Sequence, residues 1–442
     1  MMTFFLILSS VLMLAFYFVF LKKTIVGFGA GNYIGIGFLI EFIFFILVGV
    51  ILIYFLEVDY FWALFLVESE DIYFATFSFF TMFWLFFVSF LLFSNLFESF
   101  TKVNFRSSYN SLAANKFTVS CFIFLVVYYL FSVFHYNYEH ALIGALRSGV
   151  SLSIVRHENV GGEIPSFFVY GFIINSYLMA VSLAFSDFKG GSRKLFLLSA
   201  LFFISVSGQK MPIINLLILY YFASLMMHNK KLSISIVLKC IVLFFSVFIL
   251  LYLLVKLQYE NYDFSDFLSY ILNRAGVGFI AGYYEQMHLR LHDLQYIWHS
   301  VPFASIFIDI QNFHKDLMMI SESRVDGSNI GIKNTLFFAE AYAIGGMGFM
   351  FLSPIIYAFN YLLSYVLLSI FLNFFVFKDK LLTQRVFGLV YVFYINLSGG
   401  FSDLLFFKSP ILIFIFITGP VILYLLISKV NWSLRSPIEE NR

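Results

Sequence analysis

Lys210 falls in Ser205-Val206-Ser207-Gly208-Gln209-Lys210-Met211-Pro212, a polar turn between two apolar legs that are each short for a membrane crossing. A charge at the centre of a bilayer-embedded helix costs about 2.5–3.5 kcal/mol on the insertion scale, so a cation in such a turn is a functional candidate. Gly208 and Pro212 are expected to break the helices there. Broken backbone at membrane depth is tolerated where it lines a cavity, and helix N-termini favour anions. The turn therefore suits an anionic ligand, the alternative being a lysine that snorkels to the interface.

Arg147 and Arg156 are nine residues apart in segment 136–166. If 139–157 lies as an interfacial helix, that is about two and a half turns, which puts both on one face. Paired guanidinium groups suit phosphate by bidentate donation; contact with lipid headgroups is the alternative. His157 follows directly, then Glu158 and Gly161-Gly162. Segment 256–335 carries Arg274, His288, Arg290 and His292 among Tyr283, Tyr284, Tyr296, Trp298 and His299. Aromatic faces beside polar groups suit sugar rings, though any membrane protein carries an interfacial aromatic belt. His288 and His292 are spaced i,i+4 without an evident third ligand, so a solvated helix face is expected and no metal.

Glu340 is a lone carboxylate where the long segment returns to apolar sequence, in Asn334-Thr335 through Ala339-Glu340-Ala341-Tyr342 to Gly345-Gly346. Asn334 and Thr335 are candidates to start that helix. A carboxylate at a cavity rim serves as a general base or hydroxyl acceptor; the alternative is an acid hydrogen-bonded near a helix start. Asp403 beside Lys408 reads as a local ion pair, and Glu41 as a packing or headgroup contact.

The elements that must position these residues follow from composition. The chain has 442 residues, 61% hydrophobic, 22% aromatic and 12% charged, with mean hydropathy +0.92. Soluble domains hold about 25% charged residues, so a soluble enzyme, a nucleic-acid binder and a disordered chain are excluded. Net charge +2 names no charged partner, and membrane lipids are the surrounding solvent. Cys121 and Cys240 sit in apolar runs and read as small buried hydrophobes. Apolar runs of membrane length fall at 4–21, 33–55, 76–97, 117–135, 167–186, 195–208, 211–227, 233–255, 344–376, 386–404 and 410–428. The expected fold is an all-α integral membrane protein of about eleven transmembrane helices, within ten to twelve. It forms a single polytopic domain over 1–442, with a long outward-facing region that contains short helices. Most of the 27 Lys and Arg fall in one alternating set of short loops, including Lys22, Lys23, Lys102, Arg106, Lys189, Arg193, Lys230, Lys231, Lys378 and Lys380. The positive-inside rule makes those loops cytoplasmic, and puts the N-terminus, segment 136–166 and segment 256–335 outside. No Walker loop, GxSxG, HExxH or dinucleotide fingerprint is present.

Three features together resemble the Wzy-type O-antigen polymerases, the bacterial oligosaccharide repeat-unit polymerases. They are the Gly208-Gln209-Lys210-Met211-Pro212 turn with its Lys230-Lys231 exit, the paired-arginine loop before the fifth span, and Ala339-Glu340-Ala341-Tyr342 running to Gly345 and Gly348. An odd span count departs from the even count usual in that family. The resemblance implies transfer of an undecaprenyl-pyrophosphate-linked glycan to the non-reducing end of another lipid-linked unit, on the periplasmic face of the inner membrane. It implies no cofactor and no obligatory metal, and a chain-length regulator as a partner. The leaving pyrophosphate needs cations, for which Arg147, Arg156, Lys210, Arg274 and Arg290 are candidates. The attacking hydroxyl needs a base, for which Glu340 and His157 are candidates, with Tyr342 and Asn334 as hydroxyl contacts. An O-antigen ligase uses the same donor and is the nearest alternative. A flippase is disfavoured because the spans carry few charges and no internal repeat. A polyprenyl-phosphate-sugar transferase stays open through Glu57, Asp59, Glu68, Glu70 and Asp71 in the first outer loop.

Overall fold

Backbone N–H and C=O groups in hydrocarbon must be satisfied within the chain, which leaves helices as the way for such apolar runs to cross. The computed structural model obeys this. It describes residues 2–28, 32–55, 64, 67–101, 111–149, 167–228, 263–271, 277–321, 334–395 and 400–429, with isolated positions between 242 and 273 and at 397. Among these residues there are helices and no strands. In chain order they are α1 (Thr3–Leu21), α2 (Ile36–Phe55), α3 (Ser69–Leu96), α4 (Ser111–Tyr136), α5 (Ala141–Ser148), α6 (Phe167–Ala184), α7 (Gly190–Ile204) and α8 (Lys210–Met227). There follow α9 (Phe264–Ile271), α10 (Ala281–Leu289), α11 (Phe313–Ser321), α12 (Phe337–Leu372), α13 (Lys380–Tyr394), α14 (Phe401–Leu405) and α15 (Lys408–Lys429).

Six of the described helices are long and apolar enough to cross a membrane: α1, α2, α3, α4, α12 continued to Phe377, and α15. Large apolar side chains stand exposed on them, Phe134 at 81% and Phe374 at 70%. That surface fits a hydrocarbon solvent and not water. The chain is thus an all-α protein with the helices of a membrane protein. The expected runs at 167–186 and 211–227 appear as shorter apolar helices, Phe168–Ala184 and Met211–Met227. Those at 195–208 and 386–404 fall on α7 and α13, of 15 residues each. The run at 233–255 lies almost wholly outside the described residues.

The chain divides into two compact units. The first comprises Met1–Ser107, Leu225–Ser369 and Phe387–Ile413. Its centre is a run of phenylalanines at Phe79, Phe83, Phe86 and Phe90, one face of α3 at helical spacing. These rings meet Phe337, Phe338, Tyr357 and Tyr361 of α12, and Phe42 of α2. Several buried polar groups inside this core are paired, which offsets the cost of taking them out of water. Tyr391 donates to Tyr361 O at 2.8 Å, and Asn360 Nδ2 donates to Leu404 O at 3.0 Å. Glu41 accepts from Leu397 N at 3.0 Å, so it is a packing contact. The short α10 is locked across α3, where Tyr283 donates to Ala75 O at 2.5 Å and Tyr284 bonds Thr76 at 3.1 Å.

Helix α12 is broken near its start. Gly345 (φ −136°, ψ 19°) and Gly346 (φ 66°, ψ −160°) leave the helical region. The Gly346 conformation is open in practice only to glycine. The leg Phe337–Ile344 therefore stands apart from the long remainder. Its start also differs from expectation: the helix begins at Phe337, two residues after Thr335, so neither Asn334 nor Thr335 caps it.

The second unit comprises Ser108–Ser224, Ile370–Val386 and Phe414–Arg442. Here α4, α6 and α7 pack together, with a Thr118–Ser182 hydroxyl pair at 2.9 Å and Tyr128 stacked on Phe168 at 4.2 Å. Cys121 is buried and free, while Cys240 lies outside the described residues.

Candidate functional site

In the first unit a cavity of about 290 Å³ is lined by Phe74 of α3, Met287 and Arg290 of the α10 region, and Tyr342 and Met347 of α12. Its polar groups owe their positions to two local features. Helix α10 ends because Arg290 adopts a left-handed conformation (φ 51°, ψ 40°) with its N–H bonded to Gln286 O at 2.8 Å. A cation at a helix C-terminus is favoured by the macrodipole, which helps offset the steric cost of that conformation. Tyr342 sits on the short first leg of α12 and Met347 just beyond the glycine break, so the break shapes the wall between them. His292 closes against this break: a Cβ at Gly346 would come 3.4 Å from its ring.

Next to the cavity lining, His288 Nδ1 lies 2.6 Å from Asp71 Oδ2, with side chains 26% and 19% exposed. The helix face expected for His288 and His292 is thus corrected: α10 ends at Leu289, so His292 lies beyond it and is exposed as expected, while His288 is turned to Asp71 on α3.

Glu340 lies two residues before Tyr342, about 200° around the helix, and faces elsewhere. It is buried and accepts from Ser402 N at 2.9 Å and from the Ser402 hydroxyl, and its Oε1 lies 3.3 Å from His314 Nε2. Ser402 is in the first turn of α14, where N–H groups lack helical partners. The Glu340 carboxylate supplies the acceptor there and ties α12, α11 and α14 together. Around it stand His299, Asp403 and Lys408, with Lys408 donating to His299 O at 2.9 Å. Burial, reinforced by Lys408, pulls the His299 imidazole down to about 4.

The remaining candidates separate. Asn334 is exposed, and its carbonyl anchors α10 by accepting from Gly282 N at 3.1 Å. Arg147 and Lys210 belong to the second unit. Arg147 is exposed in the last turn of α5. That helix stops at Ser148, with Gly149 left-handed at φ 66°, so the expected interfacial helix over 139–157 does not run on through Gly149. Lys210 opens α8. Gly208 is left-handed (φ 68°) and breaks the chain as expected, but Pro212 lies inside the first turn of α8, where the missing N–H costs nothing. In this unit His140 Nε2 lies 3.1 Å from Phe202 O and 3.3 Å from Ser205 Oγ, which docks the start of α5 on the turn that precedes Lys210. Burial lowers the His140 imidazole below its ordinary value. Arg156, His157 and Arg274 lie outside the described residues.

The structure therefore joins Arg290 and Tyr342 at one cavity and holds Glu340 in an adjacent buried network. Sequence reasoning missed His314, Ser402 and the Asp71–His288 pairing, which spans 217 positions and leaves no local signal. Among the described residues, no three His, Cys, Asp or Glu are placed to hold a metal ion. No protein-family model, curated protein or solved structure matches the chain.

Proposed function

We propose that this chain is a glycosyltransferase of the bacterial inner membrane that polymerises lipid-linked oligosaccharide units on the periplasmic face. In this reading the chain crosses the membrane about eleven times, with segments 136–166 and 256–335 outside. The observation that carries the reading is the cavity where Arg290 and Tyr342 meet the apolar side chains of Phe74, Met287 and Met347. A lipid-pyrophosphate glycan has those three parts: an anion, sugar rings and a hydrocarbon tail. Arg290 offers bidentate donors to the pyrophosphate as its charge develops, and Tyr342 offers a ring face and a hydroxyl to the sugar.

In the reaction, a hydroxyl at the non-reducing end of the acceptor attacks the anomeric carbon of the donor. The bond from that carbon to the pyrophosphate oxygen breaks, and the electron pair leaves with the lipid pyrophosphate. The hydroxyl proton passes to a base. Arg147, Arg156, Lys210 and Arg274 are further cations proposed for guiding the anionic carriers. Glu340 is proposed as a strut under Tyr342, because its oxygens are already engaged by Ser402 and His314.

The test is a lipopolysaccharide gel of a strain lacking the chain. A ladder collapsed to core plus one repeat supports polymerisation. Bare core with lipid-linked polymer accumulating would indicate a ligase, and bare core with single lipid-linked units trapped inside a flippase. An unchanged ladder would remove the O-antigen reading altogether.

A further inference from the structure

We propose that His288 is the general base of this glycosyl transfer and that Asp71 positions it, an inference that rests on the transferase reading above. Three observations carry it. His288 Nδ1 meets Asp71 Oδ2 at 2.6 Å, at the short end for a charge-assisted hydrogen bond. Each partner is neighbour to a cavity-lining residue. Asp71 is three residues, one helical turn, before Phe74 on α3, and His288 lies between Met287 and Arg290. Both remain part-exposed, whereas Glu340 is 1% exposed with its oxygens engaged. A base must be reachable by the hydroxyl it serves.

The chemistry follows from the pairing. Asp71 accepts the Nδ1 proton, which fixes the tautomer and leaves the Nε2 lone pair free. As the acceptor oxygen bonds to the anomeric carbon, its proton moves to Nε2 and the pyrophosphate departs toward Arg290. The imidazolium so formed is stabilised by the Asp71 carboxylate, the arrangement in which a buried acid orients a catalytic histidine. After product leaves, Nε2 returns the proton to water. Asp71 faces the ring from α3, and Glu285, one turn earlier, and Arg290, two residues later, are the nearest charged residues on its own segment.

The test uses the purified full chain in proteoliposomes, with lipid-pyrophosphate-linked glycan extracted from cells that lack the chain. His288→Ala is expected to lower transfer by about 10²–10⁴-fold, with thermal stability and donor retention unchanged. Added imidazole is expected to restore about tenfold or more, a readout that a structural role would not move. His288→Gln, which keeps the shape and a hydrogen bond to Asp71, should be as inactive as His288→Ala. Asp71→Asn should lose most activity and Asp71→Glu should keep most of it. Wild-type rates in both His288 variants, or an inactive alanine variant that imidazole does not rescue beside an active glutamine variant, would overturn the inference alone. Failure of the wild type to couple lipid-linked units would overturn the transferase reading and the inference with it.

Discussion

Replacing Glu340 separates a strut from a base. In the structure its carboxylate accepts two hydrogen bonds from Ser402 and contacts His314, all in a buried setting. Glu340→Ala removes those acceptors and leaves Ser402 N–H and Oγ–H without them. Each buried orphan costs about 1–3 kcal/mol, and breaking a buried ion-pair network by removing one partner costs about 3–5 kcal/mol. With about 2.1 cal/mol/K of unfolding entropy per residue over 442 residues, that loss lowers Tm by about 3–5 °C. Glu340→Gln keeps one carbonyl acceptor and should lose about half as much. The assay is thermal unfolding of the detergent-purified chain, followed by glycan transfer at a temperature where both variants remain folded. Transfer by Glu340→Gln should then stay within about tenfold of wild type, since no proton passes through this group. A glutamine variant with wild-type Tm and transfer reduced beyond about a hundredfold would refute the strut and return the base to Glu340.

Gly346→Ala forces a side chain into a backbone region that only glycine enters freely, and should cost about 1–3 kcal/mol. Its unfolding temperature should fall, and transfer should weaken because Met347 and Tyr342 flank the break. His299 gives a pH dependence with a definite sign. Its folded value, about 4, lies below its ordinary 6.5, so the unfolded chain takes up a proton first as pH falls. Stability due to this group is present above pH 6.5 and is lost as pH drops toward 4. The check is the slope of Tm against pH for wild type and for His299→Gln, where the slope should flatten. Tyr283→Phe removes the bond to Ala75 O and should lower stability by about 0.5–1.5 kcal/mol, read by thermal unfolding, without altering donor binding.

Much of the scaffold was legible because apolar length is a one-dimensional signal. The runs at 4–21, 33–55, 117–135 and 410–428 correspond to α1, α2, α4 and α15 within a few residues. The departures arise where local chemistry overrides hydropathy. Thr335 looked like a cap, yet the helix starts at Phe337, because Phe337 N bonds Leu397 O from a distant segment. Pro212 looked like a breaker, yet a first-turn proline is compatible with a helix. A helix through 139–157 looked continuous, yet the helix that carries Arg147 ends at Gly149. At the site, Arg290 and Tyr342 were legible as chemistry-bearing types in an aromatic setting. The partners of His288 and Glu340 were not, because Asp71 and Ser402 reach them only through the fold.

The central claim is that Arg290 compensates the charge of a departing lipid pyrophosphate. The most direct measurement is chain elongation in proteoliposomes by wild type, Arg290→Lys and Arg290→Ala, at equal protein. Wild type should build polymers from lipid-linked units, Arg290→Ala should be slower by about 10²–10³-fold, and Arg290→Lys should fall between, since it keeps charge but loses bidentate geometry. Equal elongation by all three proteins would contradict the account.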